Sequence, residues 1–181
     1  RAAGTVIKFG GSLLGRADWP RLARSLVAEA TPDSAPCLLV VGGGAVVEGL
    51  RALDATVAGD AALLHRLAID GMGLTARYVA DRLGLALVTE PPRGGPAVLD
   101  VAGWLAAAAT RSADLPASWD TTSDSLAARV ATLHGWTLRL AKSVPPPAAT
   151  LDGLAAEGWL DRAFPRVARD LSAIEWRAPA S

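Results

Sequence analysis

The sequence has almost no sulfur and few aromatic side chains. Cys37 is the only cysteine among 181 residues, so the chain can form neither an internal disulfide nor a cysteine-based zinc cluster. Aromatic residues make up 5% of the chain and hydrophobic residues 51%, so aliphatic side chains must supply most of the core. The near-absence of cysteine fits a reducing compartment, and we expect a cytoplasmic protein.

An excess of charge of either sign is also missing. Eighteen basic and eighteen acidic side chains cancel, which removes the broad positive field that attracts nucleic acid. The apolar runs are short and interrupted by Gly, Pro, Arg or Asp, and no amino-terminal run resembles a leader. We therefore expect neither nucleic acid nor a membrane as a partner.

Strand-like and helix-like segments alternate along the chain. Apolar runs predict strands over 5–9, 37–41, 85–88, 98–99 and 137–141, and helical periodicity predicts helices over 19–30, 45–53, 61–83, 101–109 and 122–133. Strands separated by helices favour a mostly parallel sheet covered on both faces, an α/β fold of the αβα sandwich type. Because no linker divides it, residues 1–181 are expected to form one domain.

Two glycine turns follow the first two predicted strands. They are formed by Gly10, Gly11 and Ser12, and by Gly42, Gly43 and Gly44. In a parallel sheet both turns lie at the edge where ligands collect, and backbone amides at a helix start favour phosphate. One such turn is often only a tight connection, but two at one edge favour two anionic groups. Neither turn matches the P-loop or the dinucleotide fingerprint.

Two charged residues stand close to these turns or at a helix start. Lys8 interrupts an otherwise apolar strand, where burial without a partner would be costly and a nearby anion would remove that cost. The alternative for Lys8 is a side chain that reaches water at a sheet edge. Asp124 begins the last predicted helix, where a carboxylate ordinarily complements the helix dipole.

In combination, these segments resemble the amino-acid kinase family. Residues 8–12 resemble its Lys-x-Gly-Gly-Ser opening, and residues 42–44 resemble its acceptor-site glycine turn. Residues 121–128 resemble the helix whose aspartate organises the catalytic lysines, and residues 140–143 resemble the nucleotide-side lysine strand. The four motifs stand in the family's order and the resemblance runs from Val6 to about Phe164. Residues 145–147 are three prolines, where many relatives continue with an Asp-Gly pair.

The resemblance implies an ATP-dependent phosphotransferase, with Mg²⁺ arriving on ATP and no dedicated metal site. It assigns catalytic roles to Lys8, Asp124 and Lys142. It assigns ATP binding to Gly10, Gly11, Ser12, Lys142 and Ser143. It assigns binding of a small anionic acceptor to Gly42, Gly43 and Gly44, and further candidates for the acceptor site are His65, Asp120, Thr121 and Thr122. The acceptor half would cover roughly residues 1–115, and a reduced nucleotide half roughly residues 116–181.

The acceptor itself stays open. A phosphate is preferred to an amino acid because no partner for an ammonium group is evident, but isoprenoid monophosphate, nucleoside monophosphate, carbamate and amino-acid carboxylates are alternatives. Residues 115–120, 159–161 and 164–165 resemble the short branch that contains the aminomethylfuran phosphate kinase of methanofuran synthesis. Trp119 is a candidate for the border of the acceptor pocket, and His65 could instead pack or face solvent.

Two further expectations concern the functional class of the protein and its oligomeric state. A noncatalytic binding or storage protein on the same fold is the alternative from another class, since fold does not fix function. The presence of Lys8, Asp124 and Lys142 favours the kinase. The family's usual assembly implies a homodimer or a larger homo-oligomer.

Overall fold

Six parallel strands of the computed structural model form one sheet, and the structure describes residues 4–179. The strands are β1 Thr5–Phe9, β2 Cys37–Val41, β3 Ala86–Val88, β4 Pro96–Leu99, β5 Thr137–Ala141 and β6 Ile174–Arg177. Their order across the sheet is β3-β4-β2-β1-β5-β6, and every neighbouring pair is parallel. Strand β1 therefore lies inside the sheet, between β2 and β5.

Helices cover both faces of this sheet. Within the described residues they are α1 Trp19–Ala30, α2 Gly44–Thr56, α3 Ala61–Leu83, α4 Val101–Ala106, α5 Ser123–His134, α6 Leu151–Ala156 and α7 Phe164–Val167. Side chains alternate along β1, so Val6 joins a buried cluster with α5, whereas Ile7 and Phe9 join another with α1 and α3. The predicted αβα sandwich is confirmed. Over residues 4–179, no helix combines the length and the apolar character that a bilayer crossing requires.

The longest periodic segments match their predicted bounds, and shorter ones differ. Helices α1 and α3 and strands β1, β2 and β5 have the predicted ranges, and Gly84 ends α3 in the left-handed conformation with φ of 69°. Helix α4 ends at Ala106 rather than at residue 109. Asp18 precedes α1, but its carboxylate accepts from Arg16 Nε at 2.8 Å and caps no helix amide.

The carboxyl-terminal elements α6, α7 and β6 were not predicted from the sequence. Helices α6 and α7 have six and four residues, too few to show a helical period. Strand β6 is fixed by distant partners, since Leu138 N donates to Ala173 O at 3.1 Å and Lys142 N donates to Arg177 O at 2.9 Å. This segment packs on the α5 side of the sheet.

A substitution of Phe164 tests how the carboxyl-terminal segment packs against α5. It is fully buried in the cluster around α5, so Phe164→Ala should lower the free energy of unfolding by about 3–5 kcal/mol. Urea denaturation measures the change, and Leu133→Ala, at a 48% exposed position on α5, should change it by less than about 1 kcal/mol. A Phe164→Ala variant of wild-type stability would contradict the packing described.

Candidate active site

The two glycine turns touch each other at the carboxyl ends of β1 and β2. Gly42 N donates to Phe9 O at 2.9 Å, which joins the second turn to the end of β1. A Cβ on Gly11 would lie 2.5 Å from Gly44 N, and a Cβ on Gly42 would lie 2.7 Å from Gly11 N. Glycine is required here because the two backbones pack directly on one another.

A cavity of about 630 Å³ opens where the turns meet. Of the residues predicted for the site, those that line it are Lys8, Gly10, Gly11, Ser12, Gly42, Gly43, Gly44, His65, Thr121, Thr122 and Lys142. Ser143 lines an adjoining cavity of about 260 Å³, and its Oγ lies 2.8 Å from Ser12 Oγ. Asp120 does not line the main cavity: its carboxylate lies 4.0 Å from Arg162 Nη1.

Behind the turns, Asp124 holds two lysine ammonium groups together. Lys8 Nζ lies 2.8 Å from Asp124 Oδ1, and Lys142 Nζ lies 2.8 Å from Asp124 Oδ2. Lys142 Nζ also donates to Trp159 O at 2.8 Å. Lys8 and Lys142 are the only lysines in the sequence, in which the other basic residues are sixteen arginines. Two ammonium groups against one carboxylate leave an excess of positive charge at the cavity wall.

The fold explains why these three side chains meet. Lys8 follows Val6 by two residues on β1, so its side chain points to the α5 face of the sheet. Asp124 lies in the first turn of α5, and Lys142 follows the neighbouring strand β5. Lys8 is 5% exposed on an interior strand, so the alternative of a lysine reaching water at a sheet edge is wrong.

The cluster changes the proton affinity of its members. Burial alone would raise the pKa of the Asp124 carboxyl, but Lys8 and Lys142 outweigh burial and hold that pKa below its usual range. Burial and the charge of Lys8 lower the pKa of the Lys142 ammonium, against the attraction of Asp124. An anion in the cavity would favour the charged form of Lys142.

Two polar groups that line the cavity, His65 of α3 and Thr121 before α5, have free capacity for hydrogen bonds. His65 Nδ1 lies 3.1 Å from Ser118 O, and a carbonyl can only accept, so Nδ1 carries the proton and Nε2 is left as an acceptor. Burial lowers the pKa of His65, which favours this neutral form. Thr121 Oγ1 is buried without a hydrogen-bond partner within residues 4–179, so it is able to bond to a water or a ligand atom.

Arg51 and Trp119 border the same cavity. The Arg51 guanidinium lies 4.7 Å from the centroid of the Trp119 ring, and Trp119 Nε1 donates to Asp54 Oδ2 at 2.9 Å. Trp119 was expected at this border, whereas Arg51 was not assigned from the sequence, where it is one of many arginines.

No group of three or more His, Cys, Asp or Glu side chains in the described part of the chain is placed to hold a metal ion.

Solved structures share this architecture. A uridylate kinase from Archaeoglobus fulgidus aligns with a TM-score of 0.64 at 13% identity, over 98% of this chain and 91% of its own. A UMP kinase from Bacillus anthracis aligns with a TM-score of 0.68 at 13% identity, over 98% of this chain and 87% of its own. The fold is that of the uridylate kinases. The sequence matches no protein-family model and no curated protein.

On this uridylate-kinase fold, Asp161 organises the start of α5. Its carboxylate accepts from Thr122 N at 2.8 Å, from Thr122 Oγ1 at 2.9 Å and from Ser125 N at 2.9 Å, and it also contacts Ser125 Oγ. Burial and the nearby Asp124 raise its pKa, against these hydrogen bonds. Sequence reasoning gave Asp161 no role, because the residue lies 36 positions from Ser125 and no local pattern connects the two.

Asp161→Asn should lower the free energy of unfolding by about 2–3 kcal/mol. An amide cannot accept from all these donors, and its own NH₂ would face the N–H of Thr122 or Ser125. Chemical denaturation measures the loss, and Asp170→Asn is the control because Asp170 is an exposed carboxylate of the same segment. Equal stability of the two variants would mean that the start of α5 does not depend on Asp161.

Proposed function

We propose that the protein is an ATP-dependent phosphotransferase that moves the γ-phosphoryl group of ATP to a small anionic acceptor. The observation that carries the proposal is the pair of lysines on Asp124, at the wall of a cavity where two glycine turns meet. Both solved neighbours are named as uridylate kinases, which supports a kinase on this fold.

Phosphoryl transfer asks a protein chiefly to position the reactants and to neutralise charge. Lys8 and Lys142 would face the phosphoryl oxygens from the cavity wall, while Asp124 keeps both ammonium groups in place behind them. The bond from phosphorus to the ADP oxygen breaks as the bond to an acceptor oxygen forms, so no covalent enzyme intermediate is required. Mg²⁺ bound to ATP would supply further charge neutralisation.

Each glycine turn would hold one reactant. Gly10, Gly11 and the Ser12–Ser143 hydroxyl pair would bind the nucleotide phosphates, since Ser12 and Ser143 also line the adjoining cavity. The turn 42–44 would hold the anionic group of the acceptor, with Thr121, Thr122 and His65 beside it. Asp120 would act only indirectly, because it lies outside the cavity lining.

The lining favours a phosphate acceptor over an amino acid. Glu48 is the only carboxylate among the described residues that line the main cavity, so an ammonium group would have few partners. Aminomethylfuran phosphate is the acceptor implied by the resemblance of residues 115–120, 159–161 and 164–165 to the short kinase branch. It would have to place its ammonium group near Glu48. Monophosphates of isoprenoid alcohols and of nucleosides, carbamate and amino-acid carboxylates are the competing acceptors.

The proposal is tested by an ATP-consumption screen across small monophosphates and carboxylates, including aminomethylfuran phosphate. With the acceptor that gives turnover, Lys8→Arg and Lys142→Arg should each lower kcat by at least about a hundredfold, because a planar guanidinium cannot replace a compact ammonium group on Asp124. Arg93→Lys is the matched control at an exposed position and should leave kcat unchanged.

Two outcomes would contradict the proposal. ATP binding without turnover of any acceptor would favour the noncatalytic binding or storage protein. Turnover that persists in both arginine variants would remove the lysines from the reaction. Asp124→Asn should be as damaging as either variant, because an amide leaves two buried ammonium groups without their counter-charge.

His65→Ala should raise the KM for the acceptor about tenfold and leave the KM for ATP unchanged, because the imidazole lines the α3 side of the cavity. Steady-state kinetics with each substrate varied in turn separates the two constants. His134→Ala, at the far end of α5, is the control. An unchanged acceptor KM would place His65 outside the acceptor site.

A further inference from the structure

A second cavity of about 260 Å³ adjoins the cavity assigned to phosphoryl transfer. Ser12, Lys142 and Gly158 line both cavities, so the two meet beside the first glycine turn. The large cavity continues from there to the turn 42–44, where the acceptor would bind. A nucleotide whose phosphates lie on residues 10–12 would therefore extend its nucleoside into the small cavity.

The small cavity offers a base little enclosure. Its volume lies below the range of about 300–1,000 Å³ that is usual for sites that bury a small ligand. Val144 is 54% exposed, and Glu157 is exposed as well, whereas Trp159 is partly buried. A base in this cavity would find apolar contacts and would keep much of its hydrogen-bonding edge in water.

The main chain on one side of the small cavity is already engaged. The amides of Glu157, Gly158 and Trp159 donate to carbonyls of residues 153–155 at 2.8–3.2 Å. The Trp159 carbonyl accepts from Lys142 Nζ at 2.8 Å. The segment 157–159 therefore has no main-chain donor left for a base.

The chain that leaves β5, on the other side, is also poor in donors. Residues 145–147 are three prolines, which have no N–H to donate. The amides of Ser143 and Val144 remain, and they come directly after Lys142, beside the hydroxyl pair that Ser143 forms with Ser12. That position favours contacts with phosphate over contacts with a base.

Selection between bases requires matched hydrogen bonds. Adenine presents an amino donor where guanine presents a carbonyl acceptor. A site that hydrogen-bonds one such group can reject the analogue that lacks it by about 10⁴–10⁵-fold, whereas apolar contacts discriminate far less. Beyond the paired serines, Glu157 is the one described side chain of this lining with an acceptor for an amino group, and it is exposed.

We propose that the phosphoryl donor is selected through its phosphates and not through its base, so that nucleoside triphosphates of all four bases serve as donors. The proposal deepens the phosphotransferase function and rests on it. The bond between the γ-phosphorus and its bridging oxygen breaks in the same way in each donor. The nucleoside diphosphate leaves, and the phosphoryl group passes to an oxygen of the acceptor.

Equilibrium binding tests the proposal without an acceptor. Isothermal titration calorimetry of the full chain with the magnesium complexes of ADP, GDP, CDP and UDP should give four dissociation constants within about tenfold of one another. Adenosine, which lacks the phosphates, should bind at least about a hundredfold more weakly than ADP. A wider spread among the diphosphates, or adenosine that binds more tightly than this limit, would overturn the proposal.

Two variants locate the groups that select the donor. Ser143→Ala should weaken all four diphosphates by a common factor of about fivefold, because its hydroxyl would contact phosphate. Ser25→Ala, at an exposed serine of α1, is the matched control and should leave the four constants unchanged. Glu157→Gln should leave the ratios among the four unchanged, and altered ratios would show that this carboxylate reads the base.

The outcomes also separate this proposal from the function on which it rests. If no diphosphate binds, the phosphotransferase itself is contradicted. If ADP alone binds tightly, only the donor proposal fails. With the acceptor identified by the ATP-consumption screen, kcat/KM for ATP, GTP, CTP and UTP should likewise agree within about tenfold, and a larger preference for ATP would contradict the proposal.

Discussion

One buried carboxylate shared by two ammonium groups is the interaction on which the rest of the site depends. Burial of Lys8 and Lys142 without a partner would be costly, and Asp124 neutralises only part of their charge. The surplus faces a cavity that the two glycine turns also line. A bound anion would complete this balance, so the electrostatics of the cluster favour an anionic ligand before any catalytic role is considered.

That interaction places strict demands on the fold. Lys8 lies on β1 and Lys142 directly follows the neighbouring strand β5, so the parallel pairing of β1 with β5 sets the separation of the two ammonium groups. Asp124 reaches them only if the first turn of α5 is fixed, and this is where the carboxyl-terminal segment acts. The Asp161 carboxylate holds that turn, and the Trp159 carbonyl accepts from Lys142 Nζ. The short carboxyl-terminal segment that follows β5 is therefore part of the site.

Local signals explain what could be predicted from the sequence. Strand β1, the glycine turns and helix α3 are each visible in a window of a few residues, and so is a lysine within an apolar strand. Asp161 and β6 depend on partners far along the chain, and Arg51 is distinguished only by its ring contact with Trp119. Asp120 was predicted to bind the acceptor because it neighbours Thr121 in the sequence. Its side chain nevertheless lies outside the cavity lining.

Helix α2 runs from the second glycine turn along the wall of the cavity. Its first residue, Gly44, belongs to the turn assigned to the acceptor, its inner side lines the cavity, and its outer side is exposed and apolar. A helix without buried residues gains little stability from its own domain. Contacts with a ligand in the cavity would hold it in position, so binding there should stabilise the helix that supplies Val47, Glu48 and Arg51 to the lining.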